Sequence, residues 1–144
     1  MAKDPRILVV DDNESLVRLV KGVLEREGYE ILTAFDGVEG LELAQREQPN
    51  LIILDILMPR MDGYEVCQHL QADPRTQNIP ILLLTVKGQL DGEPSSTRTH
   101  AYFDQRIQER LAGFDTGAIE FLTKPVKSRE LVARVKGLLW LDAG

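Results

Sequence analysis

Disulfides, membrane spans and basic surfaces are what this sequence is short of. It has a single cysteine, Cys67, in 144 residues, so no internal disulfide can form. Cys67, His69 and His100 show none of the paired spacing that holds zinc. A lone thiol suits a reducing compartment. No apolar run approaches the ~18 residues of a membrane span, and Met1 to Arg6 lacks the long apolar stretch of a secretory signal. Both point to a cytoplasmic protein with no membrane partner. The net charge is -6 at pH 7, and aromatic residues make up only 6% of the chain. No basic, aromatic-interleaved stripe therefore offsets repulsion from a phosphate backbone. Direct nucleic-acid binding is not expected. A Gly-rich phosphate loop is missing as well, which argues against a nucleotide-binding enzyme.

What is present is an ordinary globular composition, 43% hydrophobic and 28% charged. The length fits one domain, 1–144, with a core over about 5–141 that needs no disulfide to fold. Ile7 to Val10, Leu51 to Leu54 and Ile81 to Leu84 are short apolar runs, each followed by a polar residue, as strands buried on both faces would be. Tyr29 to Phe35 and Ala118 to Leu122 supply two further strands. Between them the apolar spacing turns helical. Leu16, Val20, Val23 and Leu24 mark a first helix over Glu14 to Glu27, with Gly28 placed to cap its end. Asp36 with Glu39 opens a second that runs to Glu47. Tyr64 to Leu70 forms a third, stopping near Asp73-Pro74. Phe103, Ile107, Leu111 and Phe114 stripe a fourth, and Ser128 to Leu141 forms a fifth, with Trp140 either capping the core or standing exposed. Residues 87–102 have the Gly, Pro, Ser and Thr content of an extended surface loop. Alternating strands and helices predict a doubly wound α/β fold, a five-stranded parallel sheet with helices on both faces. Such sheets bind ligands at the carboxyl ends of their strands.

The polar residues gather at that edge. Asp11 and Asp12 leave the first strand, Asp55 the third and Thr85 the fourth, and Lys124 follows the fifth. Converging carboxylates repel one another. The repulsion must be met by raised pKa values, by Lys124 or by a hard divalent cation, and Mg2+ suits one or two carboxylates that work with phosphate oxygens. With the acids screened, a carboxylate oxygen can attack phosphorus and form an aspartyl phosphate. Taken singly, Asp11 and Asp12 read as helix-capping residues, and Cys67, His69 and His100 as a buried thiol and two solvated imidazoles.

The segments ILVVDDN, LIILDILMPRMDGYEV, ILLLTV and GAIEFLTKP, in this order across nearly the whole chain, resemble the signature segments of response-regulator receiver domains. The resemblance implies a flavodoxin-like strand order, 2-1-3-4-5. It makes Asp55 the phosphoacceptor, places Mg2+ on Asp11, Asp12, Asp55 and the backbone carbonyl of Leu57, with Asp12 a direct ligand and Asp11 one through water, and makes Thr85 and Lys124 the groups that hold the phosphoryl oxygens. Thr85 and Phe121 become the switch pair, and Lys124-Pro125 a cis peptide. It further implies a signalling switch rather than an enzyme. The donor would be a histidine kinase or histidine phosphotransfer protein, and a homodimer would form on phosphorylation through the fourth helix, fifth strand and fifth helix. Two alternatives compete: a receiver-like interaction module that is never phosphorylated, and a haloacid dehalogenase-like phosphatase. Against the first, every acid, the Thr and the Lys are kept. Against the second, the acids of the first strand are adjacent, and no cap domain is present.

Two departures from the family pattern stand out. The crossing from Thr85 to Lys124 is long, with its excess around 87–102, next to the surface that partners would use. Val86 occupies a position where the family commonly has a small residue, and its branched side chain is expected to narrow access to the pocket. Phosphoryl uptake from small donors is therefore expected to be faster in Val86→Ala than in the wild type. Equal rates by intact mass would contradict this.

Overall fold

Along a strand, neighbouring side chains point to opposite faces of the sheet, so an unbroken apolar run makes sense only if both faces are covered. The computed structural model describes residues 4–58, 61–86 and 119–143. Its five strands are β1 (Arg6–Val10), β2 (Glu30–Ala34), β3 (Leu51–Asp55), β4 (Ile81–Val86) and β5 (Ile119–Lys124). All neighbouring pairs are parallel, in the order β2-β1-β3-β4-β5. The described helices are α1 (Glu14–Arg26), α2 (Gly37–Glu47), α3 (Gly63–Ala72) and a C-terminal helix, Ser128–Ala143.

The alternation divides the core in two. Leu8, Val10, Ile52, Leu54, Ile81 and Leu83 face α2 and α3, packing with Ala44, Val66, Cys67 and Leu70. Ile7, Val9, Leu51, Ile53, Leu82, Leu84 and Leu122 face α1 and the C-terminal helix, packing with Val17, Val20, Leu24, Leu131, Val135 and Leu138. The doubly wound arrangement expected from the alternating runs is thus the observed one. Among the described residues, no helix is long and apolar enough to cross a membrane.

Local signals set the helix ends. The side chains of Asn13, Asp36 and Asp62 each accept a backbone N–H three residues on, from Leu16 at 3.1 Å, Glu39 at 2.8 Å and Glu65 at 3.0 Å, satisfying donors that the first helical turn leaves free. Asp36 caps as expected. For α1 the cap is Asn13, so neither Asp11 nor Asp12 is spent on that role. Gly28, beyond the end of α1, has φ +94°, a backbone region that favours glycine.

Strand five corrects one expected boundary. The apolar run stops at Leu122, but the ladder continues because Thr85 pairs with Thr123 and Val86 with Lys124. Lys124 is therefore held within the sheet. The expected loop over 87–102, the fourth-helix stripe Phe103, Ile107, Leu111 and Phe114, and His100 lie outside the described residues.

On the C-terminal helix, Leu138 is fully buried whereas Trp140 is 79% exposed, so the tryptophan does not cap the core. Leu138→Ala is expected to cost about 2–5 kcal/mol through lost burial and a residual cavity. Trp140→Ala should stay within about 0.5 kcal/mol of the wild type. Urea melts of the two variants check the contrast.

Candidate functional site

Strand register brings the acids together. Val10 of β1 lies beside Leu54 of β3, so one step further along each strand Asp11 and Asp55 emerge side by side. Both follow the parity of Val9 and Ile53, the face covered by α1 and the C-terminal helix. Asp55 in turn sits beside Leu84 of β4, and Leu84 beside Leu122 of β5. Lys124, two residues beyond Leu122, returns to that same face and reaches back across the strand ends. Its Nζ lies 2.9 Å from Asp11 Oδ2 and 3.6 Å from Asp55 Oδ1. The Lys124-Pro125 peptide is cis, the form the sequence suggested.

Asp11 is fully buried and Asp55 is 3% exposed, whereas Asp12 is exposed. One carboxylate oxygen from each of the three lies within 4.8 Å of the others. Asp11 Oδ1 accepts the Asn13 N–H at 2.9 Å, while its buried Oδ2 has no hydrogen bond and faces the Lys124 ammonium. Asp55 Oδ1 accepts the Leu57 N–H at 3.3 Å. Burial, then the charge of Asp11, and last that of Asp12 push the Asp55 carboxyl up from 3.8 to about 6, against the pull of Lys124 and the Leu57 N–H. One ammonium thus faces two buried carboxylates, with that of Asp12 clustered beside them. A hard cation with oxygen ligands would answer the remaining imbalance, and Asp11 Oδ2, now paired with Lys124, and the exposed Asp12 fit that donor set.

The loop after β3 is held tightly. Gly63 donates its N–H to Ile56 O at 2.8 Å, and its Cα packs so closely that an added Cβ would stand 2.7 Å from Asp55 O and 2.7 Å from Ile56 Cα. Only glycine fits there without moving the strand end that carries Asp55. Leu57, within this loop, is partly exposed at 38%.

Thr85 is buried near the end of β4, one residue past the partner of Asp55, and Ile56 N–H bonds to Leu84 O at 3.1 Å beside it. Phe121 on β5 is 37% exposed. Val86 ends β4; its side chain is outside the described residues, as is Pro59. Cys67 is buried among the side chains facing α2 and α3, and burial, with Asp62 adding, pushes its thiol up to about 12, which fits an inert packing role. The residue that sequence reasoning missed is Asn13, the α1 cap that also contacts Asp11. Its signal was a good N-cap type directly before Glu14, overshadowed by the two aspartates preceding it.

Comparison with known proteins agrees with this geometry. A family model described as the response regulator receiver domain matches residues 7–102. The chain is 43% identical over 135 residues to the DNA-binding dual master transcriptional regulator RpaA of Synechocystis sp., covering 94% of this chain and 49% of that protein. It is 44% identical over 133 residues to the response regulator PleD of Caulobacter vibrioides, covering 92% of this chain and 26% of that one. The chain therefore spans about half or less of these curated relatives. Among solved structures, it resembles the signal receiver domain of a signal transduction histidine kinase from Syntrophus aciditrophicus, with a TM-score of 0.72, 33% identity and coverage of 94% and 90%. It also resembles the Vibrio cholerae chemotaxis protein CheY4, with a TM-score of 0.73, 27% identity and coverage of 94% and 98%.

The raised Asp55 carboxyl has a signed consequence. The folded chain holds this proton more tightly than the unfolded one, so without a cation the group favours folding below about pH 4 and loses that contribution as pH rises through about 6. At about 1.4 kcal/mol per unit, the rise from 3.8 to about 6 amounts to about 3 kcal/mol at most. In chelator, Asp55→Asn is expected to be more stable than the wild type by up to that amount above about pH 7, with the gap closing below about pH 4. Denaturant melts across this range measure it.

Proposed function

The chain belongs to the response regulator receiver family, and so to the phosphorylation-dependent switches of two-component signalling; from that membership we propose that Asp55 is its phosphoacceptor. The observation that carries the assignment is the buried Asp55 carboxylate, placed against Asp11 and under the ammonium of Lys124. A histidine kinase or a histidine phosphotransfer protein is the proposed donor, and the cytoplasm the proposed compartment. The chain acts as a switch rather than as an enzyme on a separate substrate.

In the transfer, an Asp55 oxygen forms the new bond to phosphorus as the N–P bond of the donor phosphohistidine breaks and its electron pair stays on the imidazole. The Leu57 N–H engages Asp55 Oδ1, which leaves Oδ2 as the attacking atom. Asp11, Asp12, Asp55 and the Leu57 carbonyl would hold Mg2+, which when bound screens the carboxylates and draws charge from the phosphoryl oxygens. Lys124, already within 3.6 Å of Asp55 Oδ1, pairs with a phosphoryl oxygen after transfer, exchanging a crowded carboxylate for a dianion. The Thr85 hydroxyl donates to another. Its movement toward the phosphoryl group frees space into which the half-exposed Phe121 turns, changing the surface around β5. A homodimer formed on that surface is part of the same proposal. DNA binding belongs to the name of the Synechocystis relative, of which the chain spans 49%; nothing in the acid-lined strand edge suits a nucleic-acid backbone.

Incubation with acetyl phosphate is expected to add one phosphoryl group to the wild type in Mg2+, none in chelator, and none to Asp55→Ala in either, as read by intact mass. Uptake by Asp55→Ala would reassign the acceptor. No uptake by the wild type from either acetyl phosphate or a histidine phosphodonor would favour an interaction module that signals without phosphate.

A further inference from the structure

Asn13 joins two features that sequence patterns treat separately, the start of a helix and the shape of the acid cluster. Its side-chain oxygen accepts the Leu16 N–H at 3.1 Å, and its carbonyl accepts the Val17 N–H at 3.1 Å. These bonds hold its backbone at φ -88° and ψ 101°. In that conformation its own N–H points back at Asp11 Oδ1, 2.9 Å away. The Asp11 backbone is pinned from the other side, its N–H donating to Ala34 O at 3.2 Å. One oxygen of Asp11 is thereby committed to the turn. The other, Oδ2, is buried without a hydrogen bond and lies 2.9 Å from Lys124 Nζ, the ammonium that also reaches Asp55.

We propose that Asn13 is a positioning residue, its helix cap holding the Asp11 carboxylate in the single orientation that presents Oδ2 to a divalent cation at the acid cluster. The inference rests on the cation site proposed above. The physical reasoning is that of an outer-shell partner: a carboxylate free to rotate spreads its oxygens over several directions, and fixing one oxygen by an N–H removes that freedom before the cation arrives. Every non-proline residue has the N–H. What Asn supplies is the cap that keeps the N–H aimed. Serine caps helices about as well as asparagine, whereas alanine does not, so the effect should follow capping ability and not the amide itself.

Calorimetric titration of Mg2+ into wild type, Asn13→Ala, Asn13→Ser and Asp36→Ala tests this. Asp36→Ala removes a cap of the same kind from α2, one that makes no contact with the Asp11 side chain through its capping bond, and so reports the generic cost of losing a cap. Asn13→Ala is expected to bind Mg2+ about tenfold more weakly, the low end of what loss of an outer-shell partner costs. Asn13→Ser should stay within about twofold of the wild type, as its capping rank implies, and Asp36→Ala should bind as the wild type does despite a lowered melting temperature. Unchanged affinity in Asn13→Ala, or equal weakening in Asn13→Ala and Asp36→Ala, would overturn the inference alone. A wild type that binds no Mg2+ would overturn the cation site and this inference with it.

Discussion

Crowding of like charge at the edge of a parallel sheet is the constraint on which the rest of this structure depends. Asp11 and Asp55 are both buried, yet they emerge from neighbouring strands with no residue between them. Two adjacent carboxylates taken out of water are strongly disfavoured unless something of opposite charge is near. Lys124 is that group, and its position follows from the pairing of β4 with β5 past the last apolar residue. Its ammonium serves both acids at once, closer to Asp11 than to Asp55. Burial and the charge of Asp11 push the Asp55 carboxyl up to about 6 despite that ammonium. The proposed cation would relieve this crowding, and the proposed phosphotransfer would convert one of the carboxylates into an acyl phosphate.

The surrounding fold keeps this arrangement from relaxing. The strands that carry the two acids, β1 and β3, are buried on both faces, so Asp11 and Asp55 cannot separate without disturbing one or both halves of the core. The loop after Asp55 is closed by the Gly63 N–H on Ile56 O, with the Gly63 backbone lying directly on the Asp55 carbonyl. Asp11 is held from two directions, by Ala34 O at its backbone and by the Asn13 N–H at its side chain. By contrast, Leu57 and Phe121 are partly exposed near the same edge. Acids held in place beside partly exposed apolar side chains suit the proposed switch, a fixed point of chemistry next to a surface. The chain spans 49% of RpaA and 26% of PleD, so in these relatives the unit is one part of a longer protein.

Much of this was legible in the chain itself. Apolar runs ended by Asp, Thr or Lys identified the strands and their functional ends, because period-two alternation inside a two-sided core demands such runs and the carboxyl edge of the sheet is where polar residues can sit. Helical spacing marked α1, α3 and the C-terminal helix, and Asp36 with Glu39 marked the start of α2, which the structure places where expected. The membership of Asp11, Asp12, Asp55, Thr85 and Lys124 in one edge followed from topology alone. Tertiary structure decided what pattern could not. The end of β5 lies beyond its apolar run, since hydrogen bonds to Thr85 and Val86 and not hydrophobicity set it. The cap of α1 is Asn13, which releases both aspartates, because capping depends on the φ and ψ of one residue rather than on which acid comes first. The exposure of Trp140 and the division of labour between the two Asp11 oxygens likewise depend on where neighbouring elements stand, and these are distances between segments that no local spacing encodes.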